Sequence, residues 1–124
     1  MENQALNDIL KKSGFSEKEI GVYSALLELG SSVVSDIAKK ARVIRSTAYV
    51  VLDSLAKRGL VSATERRGVK VYHGASPDEL VRHLEESAKQ YTISAGAVKK
   101  LLPKLKAETA RSMPRPKVRL FEGE

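Results

Sequence analysis

A chain of 124 residues that is 42% hydrophobic but only 5% aromatic, with no Trp and with Phe15 and Phe121 as its two phenylalanines, is one domain's worth of material with an aliphatic core. The absence of cysteine excludes a disulfide framework, a thiolate zinc site and a thiol nucleophile, and no apolar run resembles a signal peptide or is long enough to cross a bilayer, so a soluble, cytoplasmic protein with no membrane partner is expected. The formal net charge of +7 is segregated: between Ser31 and His73 nine basic residues face three acidic ones, whereas thirteen face twelve elsewhere, which is the pattern of a phosphate-binding surface rather than of diffuse solubility charge.

In chain order, Asn3 to Lys12 reads as a short helix with Leu6, Ile9 and Leu10 on one side, ended by Ser13-Gly14. Ser16 followed by Glu19 is a capping box, with Phe15 and Ile20 placed as a hydrophobic staple. The helix that starts there carries Ile20, Tyr23, Leu26 and Leu27 inward and stops at Gly30. A third helix is expected over Val34 to Ala41, with Ile37, Ala38 and Ala41 inward. Arg42-Val43-Ile44 then turns into a fourth, about 45–57, with Ala48, Val51, Leu52 and Leu55 inward and Gly59 beyond its end.

Two short helices around a tight turn are a weak signal alone. Leu60 to Thr64 and Val69 to His73 are β-prone, however, and Glu65-Arg66-Arg67-Gly68 between them reads as a turn, so a hairpin with a basic tip follows at once. The expected fold is mostly α (α+β): a winged helix-turn-helix with a two-stranded wing, then a long coiled-coil-like helix.

That last helix opens at Ser76-Pro77-Asp78-Glu79, again a capping box, and continues to about Lys106, roughly 45 Å. Its apolar line is Leu80, Leu84, Ala88, Tyr91, Ala95, Val98, Leu102 and Leu105, expected to pair with a second copy or to pack on a further domain. Gly96 and Pro103 weaken it, and Pro103 is expected to kink the final turn. Met113-Pro114-Arg115-Pro116 reads as a linker, and Lys117 to Phe121 alternates like the first strand of a further domain beyond the chain. The expected organisation is thus a DNA-binding domain over 1–75, a dimerisation helix over 76–108, and linker and strand over 109–124.

The run SEKEIGVYSALLELG, then SDIAKKARVIRSTAYVVLDSLAKRGLV, the hairpin and SPDELVRHLEE resembles the N-terminal domain of TrmB-family transcriptional regulators over about residues 5 to 108. The resemblance implies a homodimer on palindromic double-stranded DNA operators, often in sugar metabolism, with a small-molecule effector sensed by a later domain. It carries the recognition-helix pair onto Arg45-Ser46, the following aromatic onto Tyr49, and the basic wing onto Arg66, Arg67 and Lys70. Val33 stands where the family often has a Thr cap, Arg42 replaces the usual turn Gly, and Ile44 replaces a frequent Pro.

In a helix-turn-helix the second helix lies in the major groove with its N-terminal residues at base edges. Arg45 suits a guanine or a phosphate, Ser46 a phosphate oxygen, Thr47 a base or a thymine methyl, and Val50 only apolar contact; Tyr49 divides between core and phosphate. Arg66 and Arg67 suit a minor groove or its phosphates. Lys39, Lys40, Lys57 and Arg58 are expected to supply long-range attraction. No cofactor, metal or enzymatic activity is expected: His73 reads as a strand-end residue, His83 as an exposed helix residue, and no nucleotide-binding or nucleophile motif occurs. The competing reading is a winged helix that binds protein, which requires an apolar recognition face.

Overall fold

The computed structural model describes residues 4–112. Five helices and one hairpin run in the order α1 (Gln4–Lys12), α2 (Glu17–Leu29), α3 (Val34–Ala41), α4 (Arg45–Lys57), β1 (Val61–Arg66), β2 (Val69–Gly74) and α5 (Pro77–Ser112). The winged helix-turn-helix and the long final helix are therefore both present. The linker and strand expected after Met113 lie outside the described residues.

The core of the first compact unit, which reaches Glu86, is aliphatic as the composition requires: Leu10, Val22, Leu26, Ile37, Leu52, Leu55 and Leu60 are fully enclosed around Tyr23. Two helix faces are rotated from the sequence expectation. In α2, Leu27 is exposed, while Val22 and Ala25 are buried beside Ile20, Tyr23 and Leu26. Helices α1, α3 and α4 and the hairpin all pack on α2, so its buried arc is wider than one stripe. In α1, Leu10 alone is buried, Leu6 is half-buried and Ile9 is exposed. In α4 the buried set is the expected one, Ala48, Val51, Leu52 and Leu55.

The end of α4 shows how the hairpin is launched. Gly59, at φ 80°, donates its N–H to Ala56, and Leu60 donates to Leu55, the paired bonds of a Schellman ending. Leu60 is thereby driven into the core rather than joining β1, and its carbonyl accepts the Ala75 N–H at the far end of the wing. The strands pair antiparallel from Val61↔Gly74 to Arg66↔Val69. The turn is thus two residues, Arg67-Gly68, both at positive φ (55° and 79°), the type I′ geometry that matches strand twist. It is tighter than the four-residue turn expected, and Arg66 is a strand residue.

A third short strand segment escaped the sequence reading. Ser32 pairs with Tyr72 through N–H···O bonds of 3.0 and 2.8 Å, tying the wing to the connection between α2 and α3. The Tyr23 hydroxyl adds a buried bond to the Ala75 carbonyl at 2.8 Å. His73 braces the same junction: its Nδ1 meets the Ser31 hydroxyl and its Nε2 the Thr64 hydroxyl, at 2.5 and 2.9 Å.

Helix α5 is 36 residues, about 54 Å, and runs through Pro103 to Ser112 instead of ending near Lys106. Its capping box is present: the Ser76 hydroxyl accepts from Glu79 N–H, and the Glu79 carboxylate accepts from Ser76 N–H. The first turns of α5 belong to the winged unit, which therefore does not end at residue 75. Leu80 is buried in its core, Leu84 packs against it, and His83 is half-buried with its ring edge-on to Phe15 at 6.1 Å. The second compact unit begins at Ser87, and its described part is the remainder of α5.

Candidate nucleic-acid interface

With Ala48, Val51, Leu52 and Leu55 facing inward, the helical period leaves Arg45, Ser46, Tyr49, Val50 and Asp53 on the outer face of α4. Thr47, expected to be fully outward, is half-buried; it lies at the edge of that face. Ile44 occupies the N-cap position with no side-chain cap bond, and no acidic residue stands in the first turn. The Arg45 guanidinium lies 5.9 Å from the centre of the Tyr49 ring, so the aromatic holds the cation across the outer face.

Across a groove of about 220 Å³, α4 faces the hairpin, and Tyr49, Asp53, Ser62, Lys70 and Tyr72 line it. The groove brings Tyr49 and Lys70 onto one surface. The Lys70 ammonium sits 5.9 Å from the Tyr72 ring centre, opposite Glu65 in the strand register. Arg66 and Arg67 are exposed beyond them at the tip.

Charge pairing sorts the basic residues into two groups. Arg45, Arg66, Arg67 and Lys70 make no ion pair among the described residues. Three of the four cations expected to act at long range are held by acids of their own chain: Lys40 by Glu28 at 3.0 Å, Lys57 by Asp53 at 3.4 Å and Arg58 by Glu19 at 3.5 Å. Arg58 also stacks over Phe15 at 4.3 Å, so its work is structural. Among the described residues Lys39 makes no such pair.

Glu19 is the functional residue that sequence reading undervalued. Beyond its cap bond to Ser16, its carboxylate accepts the Ser54 hydroxyl at 2.6 Å, which locks the last turn of α4 to the start of α2. Burial pushes the carboxyl pKa up, but the bonds from Ser54 and Ser16 and the Arg58 charge outweigh it, and the net shift is downward. The signal was present in Ser54, a polar residue one position before core Leu55, yet nothing in a linear pattern pairs it with residue 19.

On α5 the expected seam divides. Leu80 is only 6% exposed inside the winged core and is not available to a partner; Leu84 is half-buried against that core. Ala88, Tyr91, Ala95, Val98, Leu102 and Leu105 are exposed. Among the described residues no group of three His, Asp or Glu side chains is placed to hold a metal, and no helix is long and apolar enough to cross a membrane.

This arrangement of elements is similar to several solved structures. TrmBL2, described as an archaeal chromatin protein with a novel mode of DNA binding, superposes with a TM-score of 0.70 at 20% identity, over 91% of this chain. The chain spans 43% of the length of TrmBL2. A possible transcriptional regulator from Methanosarcina mazei gives 0.59 at 14% identity, covering 77% of this chain and 86% of its own. A MarR-family regulator from Silicibacter pomeroyi gives 0.51 at 19%, covering 89% and 81%. At these identities the likeness establishes the fold. No curated protein matches the chain. The family model described as sugar-specific transcriptional regulator TrmB matches residues 10–78, from the end of α1 through the wing. That match covers more than half of the sequence, and the chain belongs to the TrmB family of transcriptional regulators.

Proposed function

We propose that this chain binds double-stranded DNA sequence-specifically, in the cytoplasm, as a homodimer on a palindromic operator. In this reading α4 enters the major groove and the wing tip rests on the minor groove or its phosphates. The observation that carries it is the sorting of charge: Arg45, Arg66, Arg67 and Lys70 make no ion pair among the described residues, while Lys40, Lys57 and Arg58 are paired with acids of their own chain. A surface of unpaired cations gains from phosphate contact through counterion release. Arg45 and Val50, the most outward side chains near the start of α4, are the base readers, with Thr47 at the edge; Ser46 and Tyr49 meet phosphates. Residues 87–112 of α5 supply the seam between copies. A small-molecule effector is assigned to a domain beyond this chain, in keeping with the greater length of TrmBL2.

The test is a pair of binding isotherms, on a selected operator and a scrambled duplex, across salt concentrations. Log affinity should fall linearly with log salt. Val50→Ser should lose about 1–3 kcal/mol on the operator and little on scrambled DNA. Replacing Arg66 and Arg67 together by Ala should weaken both duplexes and reduce the salt slope by about two. One observation favours a second reading, a protein-binding face: Ile44 and Val50 are 70% and 69% exposed beside Tyr49. Absence of duplex binding at low salt would select it.

A further inference from the structure

We propose that Tyr49 is a positioning residue for base reading: its ring holds the Arg45 guanidinium on the outer face of α4 so that Arg45 selects a guanine. The inference rests on the DNA-binding reading above. It names the base that the first turn of α4 reads and the side chain that prepares it to read.

The two walls of the groove between α4 and the wing use tyrosine differently. Tyr72, on the wing, is 7% exposed and its ring belongs to the core. Tyr49, on α4, is 44% exposed and lies outside the buried stripe of Ala48, Val51, Leu52 and Leu55. Its ring therefore does little for packing. What it does touch is Arg45, one helical turn away, with the guanidinium 5.9 Å from the ring centre. Helical side chains lean toward the N-terminus, so Tyr49 reaches back over the first turn, where the guanidinium lies.

Arg45 is held in a different way from the paired cations. Lys40, Lys57 and Arg58 rest on carboxylates, which offset their charge and engage their donors. The first turn of α4 contains no acid, and Asp53, two turns along the same side, is engaged by Lys57 at 3.4 Å. A ring face attracts a cation through its quadrupole and takes up neither the charge nor the N–H donors. Arg45 is thus ordered while its fork of donors stays open.

Guanine matches that fork, because its major-groove edge presents two acceptors, O6 and N7. Phosphates have a separate place at the end of α4, where the N–H groups that follow uncapped Ile44 stand beside the Ser46 hydroxyl. Ordering a long side chain before contact also removes part of the entropy loss that would otherwise accompany base binding.

The test begins with sites selected from random duplex DNA by the full chain. Arg45→Ala identifies the position whose guanine preference depends on Arg45, and affinities are then compared for duplexes carrying guanine or adenine there. The unmodified chain should prefer guanine by about tenfold or more. Tyr49→Leu should reduce that preference about two- to fivefold. Tyr49→Phe, which keeps the ring and loses the hydroxyl, should retain it in full even where overall affinity falls. In the Arg45→Ala background neither Tyr49 substitution should alter the ratio. Both duplexes are titrated with the same protein, so any unfolded fraction cancels in the ratio. Equal losses on both duplexes for Tyr49→Leu would make Tyr49 a backbone contact and overturn the proposal. A change in ratio that persists without Arg45 would overturn it too, since Tyr49 would then touch the base itself. If Arg45→Ala abolishes no guanine preference, Arg45 is a phosphate clamp, and this inference fails while duplex binding stands. Failure of the unmodified chain to bind any duplex at low salt would overturn both.

Discussion

The helices that frame the core and the helices that form the reading pair end differently. Both α2 and α5 begin with complete capping boxes, Ser16 with Glu19 and Ser76 with Glu79. The pair α3 and α4 begins with Val33 and Ile44, neither of which makes a side-chain cap bond. At the C-terminal ends the departure is confined to α3. Helices α1 and α4 close with Gly14 and Gly59 at positive φ, each followed by a residue bonded back to the last turn. Helix α3 closes with the same two bonds, Arg42 to Lys39 and Val43 to Ala38, but with Arg42 itself at φ 61°. A missing cap costs about 1 kcal/mol, and an L-residue in the left-handed region about 1–2. The reading pair thus holds its shape by burial of Ile37, Ala38, Ala48, Leu52 and Leu55 rather than by local signals. Its exposed ends carry charge and free backbone donors, which is useful to a phosphate partner and unhelpful to stability.

The most direct way to break this contrast is to remove the buried carboxylate that ties the frame to the reading pair. Glu19→Ala leaves the Ser16 N–H and the Ser54 hydroxyl without their acceptor and frees Arg58. We expect a loss of about 2–3 kcal/mol in urea unfolding, larger than the roughly 1 kcal/mol expected for Ser76→Ala at the other box. Equal losses would mean that Glu19 acts as a cap alone.

A smaller effect, of opposite sign, sharpens it. Arg42→Gly should raise stability by about 1 kcal/mol, since glycine adopts positive φ without the Cβ penalty. Val33→Thr should add a similar increment by supplying the missing cap. If Arg42 is retained for phosphate contact, Arg42→Gly should weaken both operator and scrambled duplex and lower the salt slope by about one, whereas Val33→Thr should leave the slope unchanged. Gains in stability with no change in DNA affinity for either variant would mean that the local strain serves no partner.

The contrast also explains what could be read from sequence. Element order and the bounds of α3 and α4 follow from apolar spacing, and the α4 core set came out residue by residue, because that helix buries one narrow stripe. For α2 the same rule missed Val22 and Ala25, since four elements pack on it. Long-range polar pairs were invisible: Ser32 with Tyr72, His73 with Ser31 and Thr64, and Glu19 with Ser54 join residues far apart in the chain that no period connects. Of the candidate interface, the residue types and the wing were legible. Which cations remain unpaired was not, because Lys40 and Arg58 find their acids on another helix. Leu80 was placed on the dimer seam since it continues the apolar line of α5, but the first turns of that helix complete the winged core.

The subtlest expected effect concerns pH and isolates the charge of Glu19 from its packing. Its carboxyl pKa is lowered in the folded chain: burial opposes ionisation, but the bonds from Ser54 and Ser16 and the Arg58 guanidinium prevail. A group whose folded pKa is depressed contributes stability that is fully present above its unfolded value and is lost as pH falls through the folded value. That loss should begin below about pH 4.5, the ordinary value, and continue to more acid pH. Glu19→Gln keeps the side chain's shape and an acceptor oxygen but removes the charge. Its urea midpoint should therefore lie below that of the unmodified chain at neutral pH, and the gap should close as the solution is acidified. Other carboxylates titrate identically in both chains and cancel in the difference. The effect is modest because the Arg58 side chain is 33% exposed and solvent screens part of its attraction. A gap that stays constant from neutral to acid pH would show that the hydrogen bonds at this junction, and not the ion, hold the reading pair to the frame.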